Sequence, residues 1–232
     1  MATANSLLPT AGWLCRFGER LRTLWFTKLL GITGAMALFF VAYFWLLNHP
    51  QSRPTVMPLI ALDSLIPFAP AALPLYLSLW IYVSLVPSLL IERRDLASWG
   101  AAATGLSILG LGIFLVWPTA VPAAVVDWSR HPSFTLLKSA DASGNACPSL
   151  HVAFAVFSAG WLERLLRQMH SGRLVRALNW LWCLGILYST IATRQHVAID
   201  VFAGAVLGGF AAAVHLRFFQ PDNCAAVGTT QR

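Results

Sequence analysis

The chain has 232 residues, of which 57% are hydrophobic and only 11% are charged, and its mean hydropathy is +0.66. A soluble domain carries about a quarter charged residues, so this composition excludes an ordinary soluble globular protein and indicates a membrane protein. The net charge of +7 would suggest nucleic acid in a soluble chain. Here the basic residues are better explained as determinants of membrane topology, and no nucleic-acid partner is expected.

Six segments approach the length of about 20 apolar residues that a membrane-spanning helix needs. They are predicted at residues 29–47, 70–91, 96–117, 149–166, 177–193 and 197–219. The second contains Pro74 and Pro87, which are expected to kink it. The stretch LIALDSLIPF at 59–68 is apolar but too short to span, and it is interpreted as an interfacial or re-entrant segment. The predicted fold is therefore an all-α, polytopic membrane helix bundle with about six transmembrane helices.

The positive charges divide unequally between the two sides of such a bundle. One side would hold Arg16, Arg20, Arg22, Lys28, Arg93, Arg94, Arg164, Arg167, Arg173, Arg176, Arg217 and Arg232, and the other side Arg53, Arg130, Lys138 and Arg194. By the positive-inside rule the richer side is predicted to be cytoplasmic, together with both termini. The predicted organisation is a basic cytoplasmic segment at 1–28, a six-helix membrane domain at 29–219 and a cytoplasmic tail at 220–232. The expected location is the inner membrane of a bacterial cell.

The four cysteines show no metal-ligand spacing, and no metal site is predicted from them. They are Cys15, Cys147, Cys183 and Cys224. Only Cys147 falls on the outer side of the predicted topology. It is therefore expected to react with a thiol reagent from outside in intact cells.

Two motifs that carry chemistry precede the fourth and sixth predicted helices at the same outer face. In NACPSLHVAF (145–154), Ser149 is well placed as a helix cap and His151 lies in the first turn, where free N–H groups can bind phosphate oxygens. In TRQHVAID (193–200), His196 and Asp200 are four residues apart, so a helix places them on one face. Asp200 can then accept a hydrogen bond from one ring nitrogen and leave the other free as a nucleophile or base.

Each of these residues also has a structural explanation. A lone interfacial histidine such as His151 is more often an ordinary polar group, and Arg194 alone is more often a topology signal. Asp200 lies about one turn inside a spanning helix, where it costs roughly 2 kcal/mol or more, so a function or a partner such as Arg194 is expected. Arginine forks suit phosphate, which makes Arg194, with Lys138 and Arg130, a candidate ligand. The convergence of these groups at one depth favours a functional site.

The sixth predicted helix also carries glycines at a helix-packing spacing. Gly204, Gly208 and Gly209 fit a small-xxx-small pattern, which lets two helices approach closely. Their interpretation is packing rather than ligand binding.

The two histidine motifs resemble signatures of the type 2 phosphatidic acid phosphatase superfamily. CPSLHVAF resembles its second signature, usually Pro-Ser-Gly-His, and STIATRQHVAIDVFAG resembles its third. The short Arg-x-His spacing is similar to the branch that includes inositol phosphorylceramide synthases and many bacterial membrane phosphatases. LDSLIPFAP at 62–70 resembles that branch's segment before its second helix. The resemblance covers about residues 60–210.

The resemblance implies a role for each matching residue. His196 resembles the nucleophile that attacks phosphorus to give a phosphohistidine, and Asp200 resembles the carboxylate that orients it. His151 resembles the general acid that protonates the leaving oxygen and then serves as a base. Ser149 and Arg194 resemble phosphate ligands. The resemblance implies no metal and no other cofactor.

The sequence departs from the family pattern at two places. The first signature, a lysine followed seven residues later by Arg-Pro, is not present, and Lys138 and Arg130 stand in for it by location only. Leu150 replaces the usual glycine, and it is expected to narrow the pocket beside His151.

The leading hypothesis is an integral membrane lipid phosphatase. It would hydrolyse a phosphomonoester or diphosphate lipid at the periplasmic or luminal face through a phosphohistidine, with the lipid entering sideways between helices. One alternative is a lipid phosphotransferase that moves a phospho-head group to a hydroxyl acceptor. An alternative of another class is a non-catalytic transporter that binds an anion. The histidine pair and the carboxylate favour catalysis, because binding alone needs cations rather than titrating groups. The expected partners are a lipid phosphate and the bilayer, and the sequence carries no signal for an oligomeric state.

Overall fold

The computed structural model describes residues 12–124, 126–134 and 144–218. In chain order its helices are α1 (Trp13–Arg22), α2 (Trp25–Asn48), α3 (Ala61–Leu65), α4 (Leu73–Leu77), α5 (Leu79–Leu89), α6 (Arg93–Val116), α7 (Leu150–Gln168), α8 (Arg173–Ala192) and α9 (Ala198–Phe218). The predicted all-α membrane bundle is confirmed, and each predicted span corresponds to a helix or to a pair of helices. The predicted tail at 220–232 and residues 1–11 of the N-terminal segment lie outside the described residues.

The second predicted span is interrupted. A 3₁₀ turn at Pro70–Ala72 leads into α4, and α5 follows after Ser78. Pro74 lies in the first turn of α4, where its missing N–H costs no hydrogen bond. Pro87 lies near the end of α5, which stops at Leu89. The interruption at Ser78 therefore falls between the two prolines rather than at either of them.

Within the described residues, five segments are long and apolar enough to cross a membrane. They are Trp25–Asn48, Pro70–Leu89, Arg93–Val116, Arg173–Ala192 and Ala198–Phe218. The remaining predicted span corresponds to α7, which has 19 residues and carries Glu163, Arg164 and Arg167 near its end. It packs against α5, α8 and α9 at the centre of the bundle. Because protein surrounds α7 on most sides, it does not need the apolar surface of a lipid-facing helix.

Two glycines of α9 allow it to lie directly against α7. A Cβ added at Gly204 would overlap the backbone carbonyl of Ser149, and one added at Gly208 would overlap that of Ala153. The predicted close packing is thus confirmed for these two positions. Gly209 differs, because a Cβ there would meet only Val156 at an ordinary 3.8 Å. The close approach brings the start of α9 beside the start of α7.

The basic residues near the N-terminus bind backbone carbonyls at helix ends. Arg20 of α1 donates to the carbonyl of Leu89 (3.2 Å), and Lys28 of α2 donates to that of Ser88 (2.7 Å), both at the end of α5. The last carbonyls of a helix have no partner within the helix, and cations there also favour the helix dipole. These cations therefore hold α1 against the bundle. This contact is additional to the role in membrane topology that the sequence predicts for them.

A short pair of strands closes the end of the bundle opposite α1. Strand β1 (Thr55–Val56) pairs in parallel with β2 (Thr119–Ala120). The hydroxyl oxygen of the buried Thr119 accepts the N–H groups of Ala146 (3.0 Å) and Cys147 (2.8 Å). The strand pair thus fixes the turn that leads into α7.

Candidate active site

The two histidines of the sequence motifs line one cavity. His151 lies in the first turn of α7, and His196 lies two residues before α9. Both belong to the wall of a cavity of about 720 Å³ that is bounded mainly by α2, α4, α5, α6 and the start of α7. The structure therefore brings together two residues that are 45 positions apart in the sequence.

His196 and Asp200 face each other at the start of α9. Nδ1 of His196 lies 3.6 Å from Oδ2 of Asp200, and the carboxylate is fully buried. This distance is longer than a hydrogen bond, so the expected hydrogen bond is not made at this separation. Oδ2 instead accepts the backbone N–H of Val197 at 3.1 Å. With Nδ1 turned to the carboxylate, Nε2 is the nitrogen available to a substrate.

His151 is held between aromatic rings. Its ring stacks on Tyr76 with a centroid distance of 4.1 Å and an interplanar angle of 12°, and Trp80 approaches it edge-on at 6.1 Å. Its Nε2 is buried and has no hydrogen-bond partner among the described residues. An unpartnered buried nitrogen is uncommon in a folded protein. The aromatic contacts fix the ring and leave this nitrogen available for a proton transfer.

Ser149 connects the two motifs. Its hydroxyl oxygen accepts the N–H of Val152 (3.3 Å), which confirms the predicted helix cap. Its own N–H donates to the backbone carbonyl of Asp200 (3.1 Å). The Ser149 side chain is fully buried, and its hydroxyl oxygen is engaged in the cap. Of the first N–H groups of α7, that of Val152 is thus taken by the cap, whereas those of Leu150 and His151 have no partner within the helix and are suited to bind an anion.

Arg194 closes the end of α8 in a left-handed backbone conformation, with φ at 57°. Its N–H donates to the carbonyl of Ile191 (2.9 Å), and the N–H groups of Gln195 and His196 donate to that of Thr190 (3.0 and 3.1 Å). This is the Schellman pattern, in which glycine usually takes the left-handed position. A side chain there costs about 1 kcal/mol or more, so the arginine side chain is expected to have a compensating role.

That side chain binds the chain segment before α4. The guanidinium of Arg194 donates to the backbone carbonyls of Asp63 (3.1 Å) and Ile66 (3.0 Å). Arg194 is not among the residues that line the cavity. No ion pair joins it to Asp200, which lies in the same described stretch of chain. Some of its N–H groups are left for another acceptor, so its role as a phosphate ligand remains a prediction.

Asp63 is a site residue that the sequence did not single out. Its Oδ1 accepts the N–H of Ala198 (2.8 Å), the first residue of α9, and its Oδ2 accepts the N–H of Ile60 (2.8 Å). The carboxylate is buried, with 4% of the residue exposed. We call residues 60–69 the clamp segment, because its last residue, Ala69, also donates to the carbonyl of Ala192 (2.9 Å). The signal in the sequence was an aspartate inside the apolar stretch LIALDSLIPF.

The remaining candidate cations do not line the described cavity. The side chain of Arg130 is 81% exposed and pairs with Asp127 at 3.0 Å, and Lys138 lies outside the described residues. Within the described ranges, the one lysine or arginine on the cavity wall is Lys28, close to the N-terminal end of α2. The described part of the chain therefore places no lysine or arginine on the cavity wall beside the histidines.

Leu150 occupies the space beside His151. It lines the cavity, and its side chain fits against Gly110 of α6, where an added Cβ would overlap it. Gly110 thus leaves space in α6 for the larger side chain that was expected to narrow the pocket beside His151.

Cys147 lies in the buried turn before α7. Only 5% of the residue is exposed. Burial, and secondarily the nearby Asp200 carboxylate, raise the pKa of the Cys147 thiol from 9.0 to about 11. The expectation that Cys147 reacts readily from outside is therefore wrong.

In the ranges that the structure describes, no group of three or more His, Cys, Asp or Glu residues is arranged to hold a metal ion.

Comparison with known protein families gives a match. The family model of the PAP2 superfamily matches residues 87–224, which is more than half of the chain and contains both histidine motifs. No curated protein matches the chain, and no solved structure matches it. The resemblance to the branch of inositol phosphorylceramide synthases stays a prediction.

Proposed function

Because the chain belongs to the PAP2 superfamily, whose members are phosphatases or related phosphotransferases, we propose that it is an integral membrane phosphatase that hydrolyses a phosphomonoester or diphosphate lipid through a phosphohistidine on His196. The observation that carries the proposal is that His151 and His196 line one cavity whose other walls are membrane-spanning helices.

The form of the cavity supports a lipid substrate. Leu38 of α2 and Ile108 of α6 line it and are also 72% and 66% exposed at the side of the bundle. We infer that the cavity opens at the side of the bundle where these residues lie, at a depth that the bilayer surrounds. A lipid can present its phosphate to the histidines through this opening while its chain stays in an apolar environment.

In the first step, neutral His196 attacks phosphorus through Nε2. The bond between phosphorus and the lipid oxygen breaks, and the leaving oxygen takes a proton from Nε2 of His151. Asp200, next to Nδ1 of His196, stabilises the positive charge that develops on the ring. The products are a phosphohistidine and a lipid alcohol, or a lipid monophosphate where the substrate is a diphosphate.

In the second step, His151 acts as a base. It takes a proton from a water molecule, whose oxygen attacks the phosphohistidine. The phosphorus–nitrogen bond breaks, inorganic phosphate leaves and His196 is again neutral. A lipid or sugar hydroxyl in place of this water would make the protein a phosphotransferase.

Phosphate binding in this proposal relies on donors fixed before the substrate arrives. The first N–H groups of α7, next to Ser149, point from the positive end of the helix dipole. Arg194 contributes the N–H groups that the clamp segment does not use. Arg130 and Lys138 are further proposed ligands. By the charge distribution of the sequence, this end of the bundle faces the periplasm or lumen of the cell (inner) membrane.

The test is phosphate release by the purified full-length protein in detergent. The substrates are phosphatidic acid and a polyprenyl diphosphate, each with and without an added alcohol acceptor, for the wild type and His196→Ala. Release by the wild type that is abolished in His196→Ala supports the phosphatase. A product formed only with the acceptor supports the phosphotransferase. Binding without turnover of any substrate supports the anion-binding transporter and contradicts the proposal.

A further inference from the structure

Asn145 is a polar residue on the wall of the histidine cavity to which the proposed reaction assigns no role. It lines the cavity together with His151 and His196, and it lies in the turn that leads into α7. Only 6% of the residue is exposed. The adjacent Ala146 belongs to one buried cluster with Val197, the residue after His196. Asn145 therefore lies at the end of the cavity that holds the two histidines.

The backbone on both sides of Asn145 fixes its position. Its φ is 51°, in the left-handed region, which asparagine enters more readily than most residues other than glycine. Before it, Gly144 pairs with Ala120 of β2, and after it the N–H of Ala146 donates to the hydroxyl of Thr119 (3.0 Å). The Asn145 side chain is therefore held in place before a substrate arrives, as a hydrogen-bond donor in an active site must be.

The amide of Asn145 keeps most of its hydrogen-bonding capacity. An asparagine amide has two N–H donors and a carbonyl acceptor. Among the described residues, this side chain makes one hydrogen bond, from Nδ2 to the backbone carbonyl of Tyr43 (3.4 Å). That bond is longer than the usual range of about 2.7–3.2 Å. At least one N–H group of the amide is therefore left for a ligand in the cavity.

A phosphate in this cavity needs such donors. Within the described ranges, no lysine or arginine lines the cavity beside the histidines. The oxygens of an ionised phosphate accept hydrogen bonds, so an amide N–H is a suitable partner for them. A neutral amide also costs less to bury between membrane helices than an unpaired cation does. Asn145 thus supplies at the histidines a donor that carries no charge of its own.

We propose that Asn145 is a substrate-binding residue whose Nδ2 donates a hydrogen bond to a non-bridging oxygen of the substrate phosphate. The inference rests on the proposed function, which places this phosphate between His196 and His151. No bond of Asn145 forms or breaks with the substrate apart from this hydrogen bond, and its amide transfers no proton. It fixes the phosphoryl group for attack by His196, and it binds the product phosphate by the same contact.

Two substitutions separate binding from a structural role. Asn145→Gly removes the amide and keeps the backbone conformation, because glycine adopts a positive φ without steric cost. Asn145→Asp keeps the shape of the side chain and replaces the donor with a carboxylate, which repels phosphate. Asn48→Asp is the control for the added charge. Asn48 is exposed at the end of α2, next to Leu47, which adjoins Gly144, and it does not line the cavity.

The measurements use the full-length protein in detergent: phosphate release from phosphatidic acid and from a polyprenyl diphosphate, the inhibition constant of inorganic phosphate, and the unfolding temperature. We expect Asn145→Gly to lower kcat/KM and to raise the inhibition constant, each about tenfold, as for the loss of a hydrogen bond to a charged group. Asn145→Asp lowers kcat/KM further. The unfolding temperatures of both variants, and all values for Asn48→Asp, stay near those of the wild type.

An inhibition constant that is unchanged in both Asn145 variants would overturn the inference. So would a loss of activity that accompanies a lower unfolding temperature in both variants, because Asn145 would then have a structural role. The proposed function would stand in either case, since it depends on release that His196→Ala abolishes. Absence of phosphate release from both substrates by the wild type would instead overturn the proposed function, and the inference with it.

Discussion

Arg194 and Asp63 each bind the backbone of the other's segment. The guanidinium of Arg194 donates to the backbone carbonyl of Asp63 (3.1 Å), and the carboxylate of Asp63 accepts the N–H of Ala198 (2.8 Å), just beyond the turn that Arg194 begins. His196 lies between these two contacts. The clamp segment thus holds the proposed nucleophile from both sides, although it contributes no reacting atom.

Removal of the Asp63 carboxylate is expected to destabilise this turn. In Asp63→Ala the N–H groups of Ile60 and Ala198 lose their acceptors, and each unsatisfied buried group costs about 1–3 kcal/mol. We expect unfolding in detergent to begin at a lower temperature and phosphate release to fall. Asp63→Asn keeps one acceptor oxygen and should lie between the alanine variant and the wild type. An Asp63→Ala protein with the wild-type unfolding temperature and rate would contradict the clamp.

Arg194 is expected to act on phosphate as well as on the clamp segment. Arg194→Gln removes the charge, and a hydrogen bond to a charged group is worth about 1.5–3 kcal/mol. The inhibition constant of inorganic phosphate should therefore rise about tenfold or more. Asp63→Asn is the control, because it disturbs the clamp segment and leaves the guanidinium in place. If inorganic phosphate inhibits the wild type and Arg194→Gln equally, Arg194 does not bind phosphate and makes only its structural contacts with the clamp segment.

The glycines of α9 provide a test of the α7–α9 packing. Gly208→Ala would place a methyl group on the backbone carbonyl of Ala153, so the helices must separate and the unfolding temperature should drop. Gly209→Ala meets only Val156, at 3.8 Å. It should be neutral or stabilising, because alanine favours a helix over glycine by about 1 kcal/mol. If Gly208→Ala and Gly209→Ala unfold at the same temperature, the close contact is absent.

Cys147 is expected to resist alkylation in the folded protein. Reagents attack the thiolate, and the rise in its pKa from 9.0 to about 11 reduces the thiolate at pH 8 about a hundredfold. The thiolate fraction increases as the pH approaches 11, while burial restricts access throughout. Mass spectrometry after maleimide treatment should find Cys147 unmodified until the protein is denatured. Rapid labelling at pH 8 without denaturant would contradict its burial.

The topology therefore needs another reporter for the outer side. Arg53 is exposed between α2 and β1, and Cys15 is exposed on α1 at the opposite end of the bundle. In a Cys224→Ser background, an impermeant maleimide should label Arg53→Cys in intact cells and Cys15 only after permeabilisation. The reverse pattern would invert the orientation.

The helices were predictable because their signal is local. A spanning helix needs a run of apolar residues, and all six predicted segments correspond to helices, with ends shifted by a few residues. That His196 and Asp200 lie close together was likewise predicted, from their spacing of four residues, although His196 precedes α9 and the expected hydrogen bond is not made. The helix cap at Ser149 followed from the same kind of local rule.

The contacts that complete the site are long-range, and the sequence gives little sign of them. Asp63 binds Ala198 across 135 positions of chain. The burial of Cys147 depends on how β2 and α9 pack around its turn. The cavity of the two histidines exists only because several separate helices leave a space between them. No periodicity or motif within one segment reports such arrangements.

The most direct test of catalysis through a phosphohistidine on His196 is to trap the phosphorylated enzyme. The wild-type protein and His196→Ala are mixed with a lipid phosphate labelled on phosphorus, quenched within the first turnover under alkaline conditions that preserve phosphohistidine, and mapped by peptide mass spectrometry. We expect phosphate on His196 of the wild type and none in the variant. Phosphate on another residue, or turnover that persists in His196→Ala, would contradict it.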